Sequence, residues 1–282
     1  MTSDDGSAVT LSRRRLLGGC AVGLGAFSAG CSGATPFVGK REEFDRTLGM
    51  TEGRLTLETD SGAASVRRAD ADRVRLHGVK ESGSVFTDLE DMTVETARNG
   101  DHLAVSGDSG GDSWFGLGGG SISLDAAVPS GIRVEAVTAK NGDATATGVV
   151  GDVALRSTNG TVAARNVDGF VSLSSTNGPV RARRVRGIAG AETTNGDVDV
   201  HVPRIDGHVS LSLTNGQITA ALAPNLDARV TATTTNGNIT TTGLPLDATG
   251  SDRNSLTGTI GTGTNRLTVR TTNGSIKLTR LG

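Results

Sequence analysis

From Val162 to Leu213, small apolar residues alternate with polar ones in runs of four to six. Gly160 is followed by Val162 and Ala164, Gly169 by Val171 and Leu173, Gly178 by Val180 and Ala182, Gly196 by Val198 and Val200, and Gly207 by Val209, Leu211 and Leu213. Period-two alternation bounded by Asn-Gly or Asp-Gly predicts short strands, each buried on one face only. The glycines themselves are regular, falling at 142, 151, 160, 169, 178, 187 and 196. Asn precedes every second one of these, so the repeating unit is 18 residues built from two unlike halves.

Hairpins pair each strand with its sequence neighbour and do not require equal spacing. Coils stacked about 4.8 Å apart do require it, because like positions must fall in line. The pattern therefore predicts an all-β chain, a single-stranded β-solenoid (β-helix or β-roll) with about 18–21 residues per coil. Its corners are the pairs Asn141-Gly142, Asn159-Gly160, Asn177-Gly178, Asn195-Gly196, Asn215-Gly216, Asn236-Gly237 and Asn273-Gly274. Glycine there supplies the positive φ of a tight corner, and the asparagines are placed to hydrogen-bond as a ladder. Residues 44–105 have looser spacing and are expected to be irregular early coils shielding one end, with 255–280 closing the other.

The first thirty residues read as an address. Ser12-Arg13-Arg14-Arg15-Leu16-Leu17 followed by an apolar run to Ala29 has the n-region and h-region of an export signal. The run is too short to span a membrane, which takes about 20 residues. Arg13 and Arg14 resemble the paired arginines of the twin-arginine signal, which exports folded proteins. Phe27-Ser28-Ala29-Gly30-Cys31 resembles a lipobox, with Cys31, in preference to Cys20, as the lipidated first mature residue. Residues 1–30 are thus expected to be the signal, 31–43 a tether, and 44–281 the solenoid domain. The expected location is outside the cell, on the outer face of the cytoplasmic membrane.

At the Thr-Asn-Gly-x-Val/Ile units of 158–162, 176–180, 194–198, 214–218, 235–239 and 272–276, the chain resembles the putative-adhesin family, domain of unknown function 4097. Val128-Pro129-Ser130-Gly131 and Leu256-Thr257-Gly258-Thr259-Ile260-Gly261 carry the same likeness. The resemblance implies a β-solenoid in an envelope or surface setting and brings no catalytic residues.

Composition narrows the function classes. Lys and Arg number 28 against 30 Asp and Glu, a net charge of −2, which removes the basic face a nucleic-acid binder needs. Six Phe, one Trp and no Tyr argue against an aromatic-lined ligand pocket. Both cysteines, Cys20 and Cys31, precede the domain, which leaves it no disulfide and no thiol chemistry.

Calcium rolls need carboxylates in successive turns. Here Asp143, Thr161, Pro179, Asp197, Gln217, Asn238 and Ser275 follow the corners, so no metal or cofactor is expected. The histidines, at 77, 102, 201 and 208, are scattered. Asp199, Asp206 and Asp227 do not repeat at converging positions, so no enzyme is expected. Thr rows at 231–235 and 240–242 do not recur in every coil. Asn159, Asn238 and Asn273 lie in glycosylation sequons, Asn238 being the one outside a corner.

Two features remain as contacts. Trp114, Phe115 and Leu117, in the Gly/Ser-rich loop 106–120, form a candidate tip for a partner or a lipid surface. Arg181, Arg183, Arg184 and Arg186 form the densest basic cluster, a solvated face or an anionic-polymer contact. The expected function is a non-catalytic, lipid-anchored, adhesin-like surface protein that binds or spaces envelope polysaccharide or surface proteins. The alternatives are a glycan-active β-helix enzyme and a self-associating surface scaffold.

Overall fold

The computed structural model describes residues 39–83, 88–110 and 119–282. Arg13, Arg14, Cys20, Cys31, Trp114, Phe115 and Leu117 lie outside the described residues. Among the described residues the chain is all-β, with one 3-10 turn at Leu89–Asp91 and no helix long and apolar enough to cross a membrane.

In chain order the first strands are β1 (Lys40–Leu48), β2 (Glu52–Ser61), β3 (Ala64–Arg68), β4 (Val74–Ser82), β5 (Thr93–Asn99), β6 (His102–Asp108) and β7 (Gly120–Val128). The regular part follows as β8 (Gly131–Asn141), β9 (Ala144–Thr147), β10 (Val153–Asn159), β11 (Val162–Arg165), β12 (Phe170–Asn177), β13 (Val180–Arg183), β14 (Gly187–Asn195), β15 (Val198–Val202), β16 (His208–Asn215) and β17 (Ile218–Leu222). The last are β18 (Ala228–Asn236), β19 (Ile239–Thr242), β20 (Asp247–Ser251), β21 (Ser255–Ile260), β22 (Asn265–Asn273) and β23 (Ile276–Arg280).

These make two open sheets. One runs β1-β4-β7-β3-β9-β11-β13-β15-β17-β23-β19, and the other β20-β21-β18-β22-β16-β14-β12-β10-β8-β2-β6-β5. A rung is one strand from each sheet joined at a corner. From β8 to β17 successive rungs stack in parallel, pairing Val153 with Val171 and Val162 with Val180. The core lies between the sheets. Val153, Leu155, Val171 and Leu173 line it from one side and Val162, Ala164, Val180 and Ala182 from the other, each 2% exposed or less. Alternation explains why Val and Ala suffice: each strand contributes only every second residue to the core.

The ends depart from sequential stacking. Rung β2–β3 lies between β6–β7 and β8–β9. At the other end β22–β23, last in the chain, lies between β16–β17 and β18–β19. The expectation that 255–280 closes the stack is therefore corrected. Within that segment only β21 is terminal, antiparallel to β18 and followed outward by β20. The early segment is corrected too: β1 pairs antiparallel with β4, β4 with β7, and β5 with β6. Period-two alternation is the same in parallel and antiparallel strands, so it could not separate them.

Two glycines in strands are covered by aromatic rings. Phe44 lies over Gly78 and Phe170 over Gly187, where an added Cβ would enter the ring. The outer edge of β1 carries Lys40, Arg41, Glu42, Glu43, Asp45 and Arg46, charges that disfavour edge-to-edge pairing.

The buried columns give a direct test. Val171 is fully buried and Ser172 exposed on the same strand. Val171→Asp is expected to cost about 4 kcal/mol or more, because it places an uncompensated charge in the core. Ser172→Asp is expected to stay within about 0.5 kcal/mol, and circular dichroism melts of both variants check the difference.

Candidate functional site

The asparagine corners form one continuous line of side-chain hydrogen bonds. The Nδ2 of Asn159 donates to Oδ1 of Asn141 at 2.7 Å, Asn177 to Asn159 at 2.9 Å, and Asn195 to Asn177 at 2.8 Å. The line continues from Asn215 to Asn195, from Asn273 to Asn215 and from Asn236 to Asn273, each at 2.8 Å. It thus follows the spatial order of the rungs and not the order of the chain. At its other end Asn141 donates to the backbone carbonyl of Asp60.

Beside it runs a backbone column. Six of the seven corner glycine N–H groups, all but that of Gly237, donate to the Asn carbonyl of the next rung, for example Gly142 to Asn159 at 2.9 Å and Gly178 to Asn195 at 2.7 Å. The rungs approach so closely that a Cβ on Gly160, Gly178 or Gly237 would collide with the glycine carbonyl below. Of the seven corner glycines, Gly142, Gly196, Gly216 and Gly274 have positive φ and the other three do not. Close backbone approach, common to all seven, is the general reason for glycine here.

A third column was not anticipated. The hydroxyls of Ser157, Ser175, Thr193 and Thr234 donate to the carbonyls of Gly142, Gly160, Gly178 and Gly274. Its sequence signal is a Ser or Thr two residues before five of the seven corner Asn, with Ala139 before Asn141 and Leu213 before Asn215. Leu213 breaks the column, and the buried Thr271 hydroxyl is unpartnered among the described residues. Asp143 and Asp197 accept from the backbone N–H groups of Thr161 and Gln217 at 2.7 and 2.9 Å, so their carboxylates bind the next rung. Among the described residues no three His, Cys, Asp or Glu side chains gather as metal ligands.

Threonines 158, 176, 194, 214, 272 and 235 line up beside the ladder, exposed, through six consecutive rungs. A Thr row does therefore persist. The column two residues earlier nevertheless carries Arg156, Glu192 and Arg270 among its hydroxyls, so the face is not a uniform hydroxyl array.

The basic cluster occupies the outer face of the other sheet. Arg165 stacks on Arg183, and Arg181 lies two residues before Arg183 on the same face. Arg183 pairs with Asp199 and meets His201 Nε2 at 2.9 Å. Burial, and then the Arg183 charge, hold the His201 pKa below its usual value. Arg184, at φ 53°, donates to Asn166, and Arg186 pairs with Asp168. Arg165 and Arg181 have no ion-pair partner among the described residues, so two cations face solvent at the centre of the patch.

Among the described residues a hydroxyl–imidazole pair occurs at Thr56, whose hydroxyl meets His102 Nε2 at 2.9 Å. Glu135 meets the same nitrogen at 3.7 Å. A relay needs the carboxylate on the opposite ring nitrogen, so this trio is not a triad. A cleft of about 580 Å³ beside the Asn141 end of the ladder is lined by Asp60, Asp108, Ser109, Lys140 and Asn141 among others, with no aromatic among the described lining residues. Its Lys140 pairs with Asp60, which raises the Lys140 pKa.

Asp227 is held by donors of the chain itself. Its Oδ1 accepts from the Thr262 N–H and hydroxyl and from the Gly263 N–H, at 2.7, 2.6 and 3.0 Å. The Gly261-Thr262-Gly263 turn therefore cradles an anion that the chain itself supplies, and this fixes the entry of β22. Thr262, chiefly, with Thr264 and the turn amides, holds the Asp227 pKa down at about 2. A depressed carboxylate pKa gives stability that is present above the unfolded value of about 3.9 and lost as pH falls toward 2. The melting gap between the protein and Asp227→Asn is therefore expected to be full at pH 6 and to close below about pH 4.

The Toastrack family, DUF4097, matches residues 116–279. No curated protein matches the chain. Among solved structures, a putative cell adhesion protein from Clostridium sporogenes is similar at 12% identity and TM-score 0.39, covering 86% of this chain and 100% of that one. A putative adhesin from Bacteroides fragilis is similar at 11% identity and TM-score 0.30, covering 84% and 97%. A putative lipid binding protein from Parabacteroides distasonis is similar at 8% identity and TM-score 0.31, covering 85% and 97%.

Proposed function

Because the chain belongs to the Toastrack family, DUF4097, we propose that it is a non-catalytic surface element that binds or spaces envelope components. In this reading the twin-arginine signal with Arg13 and Arg14 exports it folded, and lipid on Cys31 holds it at the outer face of the cytoplasmic membrane. The observation that carries the reading is the uninterrupted asparagine ladder, which ties seven successive rungs into one stiff body. Nine rungs at about 4.8 Å each give a stack of roughly 40 Å. β1 begins nine residues after Cys31 and is the end strand of its sheet. The contact surface is the patch of Arg165, Arg181, Arg183 and Arg184, whose ligand chemistry is an anionic polymer such as an acidic envelope polysaccharide.

Two experiments test it. Cys31→Ser should move the protein from the membrane fraction to the soluble one, and retention would sink the anchor. Labelled protein on envelopes from its own source should bind saturably, weaken as salt rises, and lose about tenfold in affinity in an Arg165→Ala/Arg181→Ala variant. Non-saturating binding would leave only a spacing role. Turnover of envelope polysaccharide would favour the glycan-active enzyme instead, and mass that grows with concentration the self-associating scaffold.

A further inference from the structure

Asn-Gly is the dipeptide in which an asparagine side chain most readily cyclises. The glycine nitrogen, once deprotonated, attacks Cγ, the new C–N bond closes a succinimide, and the Cγ–Nδ2 bond breaks as ammonia leaves. Water then opens either carbonyl to give aspartate or isoaspartate. The step needs a glycine N–H free to lose its proton and a side chain free to rotate onto that nitrogen. The chain contains eight Asn-Gly pairs: the seven corners and Asn99-Gly100.

Six corners are locked on both counts. The N–H groups of Gly142, Gly160, Gly178, Gly196, Gly216 and Gly274 all donate to an Asn carbonyl of the next rung. The matching asparagines are held at both ends of the amide, donating through Nδ2 and accepting through Oδ1. Asn236-Gly237 differs, because β18–β19 is the terminal rung and has no rung beyond it. Among the described residues Gly237 N–H has no partner, and Asn236 donates to Asn273 while its own Oδ1 accepts from none of them. Both residues are exposed. Asn99-Gly100 closes the β5–β6 hairpin, exposed, with Gly100 N–H likewise unpartnered among the described residues.

We infer that Asn236, the open end of the ladder, is a site of spontaneous deamidation, shared with the hairpin residue Asn99, while the six internal asparagines are protected by the stack itself. The consequence at Asn236 is local. A carboxylate cannot donate to Asn273 Oδ1, and isoaspartate adds a methylene to the main chain where Asn236 pairs with Asn273. The last ladder bond is then lost, and rung β18–β19 is held only by its remaining strand bonds. In a ladder running with the chain, position 273 would be terminal, so the modified site also reports the rung order.

The test needs no variant. The protein is incubated at mildly alkaline pH, sampled over time, digested with trypsin and read by mass spectrometry. The eight Asn-Gly pairs fall on eight different tryptic peptides, and fragmentation separates Asn236 from Asn238. Expected is conversion at Asn236 and Asn99 at least about tenfold faster than at the six internal sites, whose reaction waits for the rungs to open. In urea the eight rates should converge to within a few-fold. Conversion of Asn177 or Asn195 as fast as Asn236 in the folded protein would overturn the inference, as would an Asn236 that converts in urea but stays intact when folded.

Discussion

Deleting residues 262–282 should unfold much more than the twenty-one residues removed. The deletion takes out β22–β23, against which β16, β17, β18 and β19 all pair. It strips Leu267, Val269, Ile276 and Leu278 from the core, each fully buried. At about 1.5–3 kcal/mol apiece their loss amounts to roughly 6–12 kcal/mol, comparable to the whole stability of an ordinary domain. It also leaves Asp227 without the turn it grips. Residues 228–261, still present, are expected to become protease-sensitive, and the remaining stack to melt far lower. A sequential solenoid would lose one end rung and keep the rest, as repeat arrays do. Limited proteolysis with a thermal melt distinguishes the two.

Gly178→Ala carries the second large effect. Gly178 does not have a positive φ, so alanine meets no backbone strain there. Its Cβ would instead strike the Gly160 carbonyl, which cannot retreat without moving the rung below. Interior overpacking of this kind costs about 3 kcal/mol or more, a fall in Tm of about 6–12 °C for a domain of this size. Gly190 is the control, since the nearest atom to its added Cβ is the Ser210 carbonyl oxygen at 3.8 Å. Gly190→Ala should be neutral or slightly stabilising, because it restricts the unfolded chain.

The middle of the fold was legible because stacking imposes itself on sequence. From Asn141 to Asn195 each rung must match its neighbours' length, so the corner recurs every 18 residues and the buried positions alternate. The rung order at the ends was hidden by the same regularity. Asn273 fits beside Asn215 as well as Asn236 would, and nothing in a Thr-Asn-Gly unit says which rung it joins. The long step from Asn236 to Asn273 was the one visible clue. It reads as two stretched coils but holds the antiparallel β20–β21 pair.

The roles of glycine were half legible. Positive φ accounts for Gly142 but not for Gly160 or Gly178, where the constraint is a backbone in the next rung, remote in sequence. Asp143, Asp197 and Asp227 were visible as carboxylates, yet they bind backbone amides, joined at Asp227 by the Thr262 hydroxyl, and no side-chain motif announces that. The basic patch was partly seen. Arg165 joins it through strand register, 18 residues before Arg183.

The interposed last rung is the claim on which this account of the fold rests, and paired cysteines test it most directly. In a Cys20→Ser, Cys31→Ser background, Ser212→Cys with Arg270→Cys joins residues directly opposite on β16 and β22. Ser212→Cys with Thr233→Cys joins β16 to β18, two strands apart at about 10 Å, beyond the reach of a disulfide. The account predicts rapid, complete oxidation of the first pair and none of the second. A disulfide that forms between 212 and 233, with 212 and 270 left reduced, would contradict it.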